Sequence, residues 1–288
     1  MKGIVLAAGA GTRLYPITRS VNKQLLPIYD KPMIYYPIST LMEIGIQDIL
    51  LITSEREQDN FKHLLGDGSQ FGIKMNYAIQ YVPKGISDAF IIAEEFIGDD
   101  ESVLILGDNI FYGESLRKNL VNAKENLRNG YSTVFGYKVD DPERFGVIEF
   151  NDKQEVVSLE EKPTEPKSNY AATGLYFYTP GATNNAKTLK PSARGEIEIT
   201  DLNKIYLNEG NLKCELMGTD INWIDTGTYD SMLEASIKIK AYEEGTSKKV
   251  AQLEEIALRK GYLSNDNLKE IADNMIKSGY QKQLTKLL

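Results

Sequence analysis

The chain has 288 residues, with 33 Lys plus Arg against 41 Asp plus Glu, a formal charge of −8. That length permits one large α/β domain or two smaller ones with a sizeable core, and an acidic chain without a long basic run argues against nucleic acid or an anionic membrane as its main partner, while leaving room for a small anionic substrate held by a few local cations. The single cysteine, Cys214, excludes an internal disulfide and fits a reducing cytoplasm, and no apolar run approaches the ~20 residues that span a bilayer.

In chain order, Lys2–Ala7 reads as a buried strand. Its apolar run is too short and too glycine-broken for a signal peptide. The loop Ala8–Pro16 is glycine-rich. Pro32–Gly45 has apolar residues at helical spacing and ends at a glycine suited to closing a helix. A strand is expected at Asp48–Thr53, a helix at Glu55–Leu65, a turn at Gly66–Gly72 and a strand at Lys74–Gln80. After the loop Tyr81–Gly85 comes a helix over Ser87–Phe96 with Ser87 as its cap. Ser102–Leu106 is another strand, ending at Gly107-Asp108-Asn109. Strands alternating with helices indicate an α/β fold with a doubly wound, mostly parallel sheet. From Tyr131 strands dominate, at 131–139, 145–150, 155–161 and 174–178. Helical patterns return at 199–208 and 229–242. Cys214 falls in an apolar–polar run and reads as a strand residue rather than a nucleophile. Residues 250–288 carry three short amphipathic patterns, the second starting near Ser264 and ending before Gly279. The expected organisation is one domain over 1–240, with 1–130 mainly nucleotide-binding and 131–240 mainly sugar-phosphate-binding, and a helical extension over 241–288.

The first strand feeds a glycine loop, which places backbone N–H groups where anions bind. It is not a P-loop, because no Gly-Lys-Ser/Thr follows at the required spacing. Nor is it a full dinucleotide fingerprint: Gly9 and Gly11 supply two glycines, but Leu14 holds the third position. Asp30 lies near where a ribose-binding acid would fall, so the glycines alone leave a dehydrogenase and a ligand-free turn open. Arg13 directly after the loop, and Lys23 ten residues on, point instead to a phosphate-rich ligand, for which Arg offers a fork of donors and Lys a compact charge.

At these residues a resemblance becomes specific. LAAGAGTRL followed by NKQLLP is similar to the signature of the sugar-1-phosphate nucleotidyltransferases. DKPMIYYPISTLM, LGDGSQFG, LGDNIFYG, DPERFGVIEF, SLEEKPTEPKSNYAATGLYFY, RGEIEITDLN and WIDTGTYDSMLEA follow in the family's order, and the resemblance extends over almost the whole chain, including EEIALRKGYL. Together they resemble the long thymidylyltransferases of that family. The resemblance implies a Rossmann-like fold with a β-rich sugar-binding insertion and a helical C-terminal extension. It implies transfer of a thymidylyl group from dTTP to glucose 1-phosphate, giving dTDP-glucose and pyrophosphate, as the first step towards dTDP-deoxysugars of the rhamnose type. A UTP-preferring uridylyltransferase is the near alternative and a dinucleotide-dependent dehydrogenase the distant one.

The resemblance also assigns residues. The expected catalytic cations are Arg13, Lys23 and Lys162. Leu6, Ala8, Gly9, Gly11, Thr12, Arg13, Lys23, Gln24, Gln80, Pro83, Gly85 and Asp108 are expected around the nucleotide, Gln80 because an amide suits a pyrimidine edge and Gly85 because it permits close approach of the base. Phe145, Gly146, Glu161, Lys162, Ala172, Tyr176, Arg194 and Trp223 are expected around the sugar phosphate. Asp108 and Asp225 match the family's metal-binding carboxylates, and two hard oxygen ligands with phosphate oxygens and water suit Mg²⁺. Alternation in a strand sends Glu160 and Glu161 to opposite faces. No general base is needed, because the attacking phosphate oxygen is already ionised. The one histidine, His63, is expected on a surface helix. The family further implies a homotetramer and a second, feedback nucleotide-sugar site at a subunit contact. Ala8 and Ala10 stand where many thymidylyltransferases have Gly and Ser, Phe145 where relatives often have Tyr, Tyr229 where they have His, and Thr219-Asp220 replace a more basic stretch, although Arg259 remains.

Overall fold

Ile4 and Val5, adjacent in the first strand, are both sealed from solvent and point to opposite sides of a sheet. Ile4 packs with Leu50, Ile52 and Leu104 in one core. Val5 packs with Ile49, Leu51, Val103 and Ile105 in the other. A sheet apolar on both faces must be covered by helices on both faces, and this one is. The computed structural model describes residues 1–288. The strands are β1 (Lys2–Ala7), β2 (Pro27–Ile28), β3 (Lys31–Pro32), β4 (Asp48–Thr53), β5 (Lys74–Ile79), β6 (Ser102–Leu106), β7 (Asn109–Gly113), β8 (Ser132–Lys138), β9 (Gly146–Phe150), β10 (Val156–Glu161), β11 (Tyr170–Tyr178), β12 (Leu212–Leu216) and β13 (Ile221–Asp225). The helices are α1 (Tyr35–Ile44), α2 (Gln58–Leu65), α3 (Asp88–Ile92), α4 (Glu94–Ile97), α5 (Leu116–Arg128), α6 (Ala182–Thr188), α7 (Ile199–Asn208), α8 (Tyr229–Thr246), α9 (Leu253–Lys260), α10 (Asn265–Asn274) and α11 (Gly279–Thr285).

The central sheet runs β10-β9-β11-β6-β1-β4-β5, with β8 beside β11 and β12 beside β8. β6, β1, β4 and β5 are mutually parallel, so their carboxyl ends share one edge. That edge gathers the loops after Ala7, Thr53, Ile79 and Leu106, the place where open α/β sheets bind ligands. β11 runs antiparallel to β6, β8 and β9 and joins the two halves. A separate antiparallel ribbon, β7–β13, sets Asp225 opposite Asn109. The mostly parallel α/β sheet expected from the alternation is present, with the β-rich part added across β11.

Several local expectations shift. The helix expected over Ser87–Phe96 breaks at Ala93 into α3 and α4, and the Ser87 hydroxyl, instead of capping, donates to the Glu198 carbonyl at 3.0 Å. Glu55–Glu57 form a tight 3₁₀ turn before α2. β11 starts four residues earlier than its apolar run, at Tyr170, and α8 runs unbroken to Thr246. His63 is exposed on α2. Cys214 lies in β12, and burial pushes its thiol up to about 12, so it is not a thiolate at neutral pH. Ser264 caps α10, its hydroxyl accepting from the Asn267 N–H at 3.1 Å while the Asn267 side chain accepts from the Ser264 N–H. No helix is long and apolar enough to cross a membrane.

The C-terminal helices are not a loose appendage. Leu253, Ile256 and Ala257 of α9 share the core of Leu41 and Met42 of α1. Beside this contact is a buried charge cluster. Lys31, 1 % exposed, pairs with Asp30 and, at 3.5 Å, with Glu243 of α8. Glu243 also pairs with Lys249 and accepts from the Val250 N–H at 3.0 Å. Lys31→Ala leaves Lys249 as the one cation shared by Glu243 and Asp30, so it should cost about 3 kcal/mol, read as a lower denaturation midpoint at unchanged slope.

Candidate active site

The loop after β1 is shaped by two contacts. Gly11 has φ +60°, and a Cβ there would lie 2.8 Å from Thr18 Cγ2 and 3.3 Å from Lys23 Cβ. The Thr18 hydroxyl donates to the Gly11 carbonyl at 2.9 Å. Only glycine meets both demands at that point. The chain then turns through Thr12–Leu14, which holds Arg13 out towards solvent, passes a second turn at Ile17–Arg19 and returns through a third, Lys23–Leu25. Asn22 anchors this return: its Oδ1 accepts from the Gln24 N–H at 2.8 Å and its Nδ2 donates to the Ala7 carbonyl at 3.3 Å. Lys23 is buried, and its ammonium pairs with Asp108. Gln24 is buried beside it, and its side-chain carbonyl has no donor within the protein.

Asp108 and Asp225 come together at the centre. The Thr226 hydroxyl donates to the Asp108 carbonyl at 2.7 Å and the Thr226 N–H does so at 3.1 Å, tying the end of β13 to the end of β6. Burial would raise the Asp108 carboxyl, but the Lys23 ammonium beside it, with hydrogen bonds from Lys23 and Asn109, holds it below its ordinary value. Asp225 goes the other way. Burial first, then the charge of Asp108, push it up to about 6 against the opposing pull of Lys23, Arg13 and Arg144. Asn109 braces the centre. Its Nδ2 donates to Asp108 Oδ1 at 3.1 Å, and its Oδ1 accepts from Trp223 Nε1 at 2.6 Å and from the Gly174 N–H at 3.0 Å. Arg13 reaches the same place from the loop: a Cβ on Gly227 would lie 2.6 Å from its Nη2.

Opposite these residues, Glu161 ends β10. Its Oε2 accepts from the Thr200 hydroxyl at 2.5 Å and its Oε1 from Arg194 Nη1 at 3.3 Å, with Lys162 Nζ 3.7 Å away. Lys162 has φ +45°, a strained conformation for a lysine. Its N–H donates to the Phe145 carbonyl at 2.9 Å, which fixes the turn. A Cβ on Gly146 would press to 3.0 Å from the Thr200 hydroxyl. Phe145 packs edge-on against Trp223, ring centroids 5.2 Å apart. Between the two sides lies a cavity of about 660 Å³, lined on one wall by Thr12, Arg13, Asp108 and Asp225 and on the other by Phe145, Gly146, Glu161, Lys162, Ala172, Tyr176, Arg194 and Trp223. Cations on both walls and two acids between them suit a pair of phosphorylated ligands.

Residues 2–242 match the nucleotidyl transferase family. A glucose-1-phosphate thymidylyltransferase of Neisseria meningitidis serogroup A is 54% identical over 288 residues, 100% of this chain and 99% of the relative. That of Xanthomonas campestris pv. campestris (strain B100) is 50% identical over 286 residues, 99% of this chain and 96% of the relative. The chain belongs to the glucose-1-phosphate thymidylyltransferases, within the nucleotidyl transferase family. A Bacillus anthracis structure described as a glucose-1-phosphate thymidylyltransferase in complex with a sucrose superimposes with a TM-score of 0.76 at 42% identity, over 83% of this chain and 94% of that one. A UDP-glucose pyrophosphorylase complexed with UDP-glucose gives 0.73 at 25% identity, over 85% of this chain and 98% of that one.

For this thymidylyltransferase chain, the structure brings twelve of the sequence-derived residues to the cavity walls named above and sets Lys23 against one of them, Asp108. Leu6, Ala8, Gly9, Gly11, Gln24, Gln80, Pro83 and Gly85 do not line that cavity; they lie along the same carboxyl edge and the loops leaving it. The reason for Gly85 differs from the expectation. It has φ +104°, and a Cβ would lie 2.5 Å from the Ile197 carbonyl oxygen, so its smallness serves the backbone of the loop before α7. Asn109, Arg144, Thr200 and Gly227 were not singled out from the sequence. Each lies within a quoted motif, next to or near a charged residue that drew the attention, and only the pairing of distant strands shows what each touches. The Asp225 carboxyl should titrate near 6 in the metal-free protein, and Asp108→Asn should move it down towards the ordinary aspartate value, followed by carboxyl ¹³C NMR.

Proposed function

We propose that the cavity holds dTTP against one wall and glucose 1-phosphate against the other and joins them into dTDP-glucose, releasing pyrophosphate. The observation that carries this reading is the placement of Arg13 and Lys23 across two clustered carboxylates from Lys162 and Arg194, in a chain 54% identical to a protein named for that activity. An oxygen of the sugar phosphate attacks the α-phosphorus of dTTP. A new P–O bond forms, the bond to the β-phosphate oxygen breaks, and its electron pair leaves with pyrophosphate. Holding both anions in line removes an entropic barrier. Arg13 and Lys23, with the N–H groups of the glycine loop, bind the triphosphate and offset charge on the leaving pyrophosphate. Lys162 and Arg194 hold the sugar phosphate, and Glu161 takes sugar hydroxyls. Phe145 and Trp223 wall the sugar side and exclude water.

Asp108 and Asp225 would hold a divalent cation, and the fit is chemical: two half-buried carboxylates, one pushed up to about 6 by burial and then by the charge of the other, would gain by taking a hard cation between them. Mg²⁺ is the ion that two hard carboxylate donors beside a triphosphate would suit. Bound there, it would supply charge neutralisation at the reacting phosphorus. A proton on Asp225 competes for the same oxygens, so the pair holds a cation less well below about pH 6. The product places the chain at the start of dTDP-deoxysugar synthesis, with soluble, cytoplasmic substrates.

A second cavity of about 480 Å³ lies between α1, α5, β7 and α9, with Arg117, Lys248, Lys249 and Arg259 on its walls. We infer that it receives the feedback nucleotide-sugar. Arg259 is held there by Glu43. Leu233 and Ile237, exposed one turn apart on α8, supply an apolar stripe of the kind a homo-oligomer covers.

The reading is tested by pyrophosphate release from glucose 1-phosphate with dTTP, UTP, dCTP and dATP in separate assays containing Mg²⁺. Release should be fastest with dTTP. Faster release with UTP would make the chain a uridylyltransferase, and none with any pyrimidine would end the proposal. Arg13→Ala should lower kcat/KM by about 10²–10³. Gly227→Ala should lower it in the same direction with Arg13 intact, because its methyl occupies the space of the guanidinium.

A further inference from the structure

Asp88 is a buried carboxylate that forms no ion pair and does not border the cavity between the two phosphate walls. It is 7 % exposed, and the one side chain that hydrogen-bonds to it is Gln80, whose Nε2 donates to Asp88 Oδ2 at 2.9 Å. Gln80 sits one residue beyond β5, its backbone N–H held by the Thr53 carbonyl at 2.8 Å. It is itself buried at 6 %, so its side chain has little freedom to turn. An amide has two faces of opposite character and can ordinarily flip between them at little cost. A carboxylate only accepts. Beside Asp88, therefore, the amide must turn its nitrogen inward, and a flip would set its carbonyl oxygen against a carboxylate oxygen. The Gln80 carbonyl oxygen accepts nothing from the protein and retains contact with solvent.

We infer that Asp88 is a positioning residue for nucleotide choice: it locks the Gln80 amide so that the carbonyl oxygen, with the remaining N–H beside it, faces the nucleotide base. An acceptor beside a donor matches a ring N–H beside a carbonyl, the edge shown by a pyrimidine-2,4-dione such as thymine or uracil. Cytosine shows the reverse order on that edge, a ring acceptor beside an amino group. A freely flipping amide would read both; an amide held by a carboxylate reads one and leaves the other with clashing lone pairs and unpaired donors. The inference deepens the proposed reaction and rests on it, since it takes Gln80 to meet the base of the triphosphate.

The test compares kcat/KM for dTTP and dCTP with glucose 1-phosphate in the wild-type chain and in Asp88→Asn. Asn is nearly isosteric, but its own amide can donate to the Gln80 carbonyl and so permit the flip. The dTTP:dCTP ratio should fall by at least about tenfold in Asp88→Asn, through a gain with dCTP as well as a loss with dTTP, while the KM for glucose 1-phosphate stays unchanged. Gln80→Ala should lower the ratio too, and adding Asp88→Asn to it should change nothing more, because Asp88 acts through Gln80. If Asp88→Asn does not fold, Asp88→Ser, whose hydroxyl can donate or accept, carries the same expectation. A ratio within about twofold of wild type, or an equal loss with both nucleotides, would overturn the inference. A wild-type chain that cannot use dTTP would instead bring down the proposed function, before any variant is made.

Discussion

The structure is organised around a charge problem: two half-buried carboxylates, Asp108 and Asp225, held close by a backbone tie through Thr226. One cation, Lys23, is close enough to settle only one of them. Asp108 is therefore kept ionised and Asp225 is pushed up, and the remaining positive charge arrives from the rims through Arg13 and Arg144. The elements that meet here come from far apart in sequence. β1 and its loop bring Arg13 and Lys23, β6 brings Asp108, and β13 brings Asp225. Parallel pairing of β6 with β1 and antiparallel pairing of β7 with β13 fix these approaches to within a residue, because a one-residue slip would turn each side chain to the other face.

That imbalance explains the character of the site. A centre already neutral would gain little from a cation or from the guanidinium of Arg13, and a centre with no cation would repel a triphosphate. Here the acids are under-compensated by about one charge, while the walls carry excess positive charge. Anionic phosphates and a hard cation entering together, as proposed, would satisfy both halves at once. Asn109 belongs to this arrangement, since it orients Asp108 with one end and holds Trp223 and the β11 backbone with the other. It thereby links the centre to the wall that carries Phe145 and Trp223.

Much of this was legible in the sequence, for physical reasons that can be named. The parallel half was readable because β1, β4 and β6 are buried on both faces and so appear as unbroken apolar runs. The turn after β1 was readable because its glycines break the helical and strand patterns, and Gly11 does take the left-handed conformation there. What stayed hidden depends on distant contacts. Ser87 looks like a helix cap, yet its hydroxyl is taken by the Glu198 carbonyl, and α3 ends after five residues. Gly85 looks like a glycine for a ligand, yet the backbone of Ile197 is what crowds it. Lys31 looks like an ordinary loop lysine and is sealed inside, because its partner Glu243 is 212 residues away. Local pattern reports how a segment is buried; it does not report what lies on the other side.

The wall around Glu161, which the proposed function assigns to the sugar phosphate, raises a different question, that of competing partners. Lys162, Arg194 and the Thr200 hydroxyl all gather on one carboxylate, Glu161. A sugar phosphate and its hydroxyls need some of the same groups. On that proposal, binding there would be an exchange of partners rather than an addition of contacts. Lys162 and Arg194 are each nearly half exposed, so leaving Glu161 costs them little in solvation, and a phosphate with two ionised oxygens is the stronger acceptor for both. Thr200 is different. It is buried, and its short bond to Glu161 Oε2 has no comparable alternative, so it keeps that oxygen while Oε1 is released. The strained turn at Lys162, pinned by its N–H on Phe145, fixes where the ammonium starts from and leaves only its flexible stem to move. The wall is consequently rigid in its backbone and exchangeable in its charges, which allows a phosphorylated sugar to enter without rebuilding the sheet that carries it.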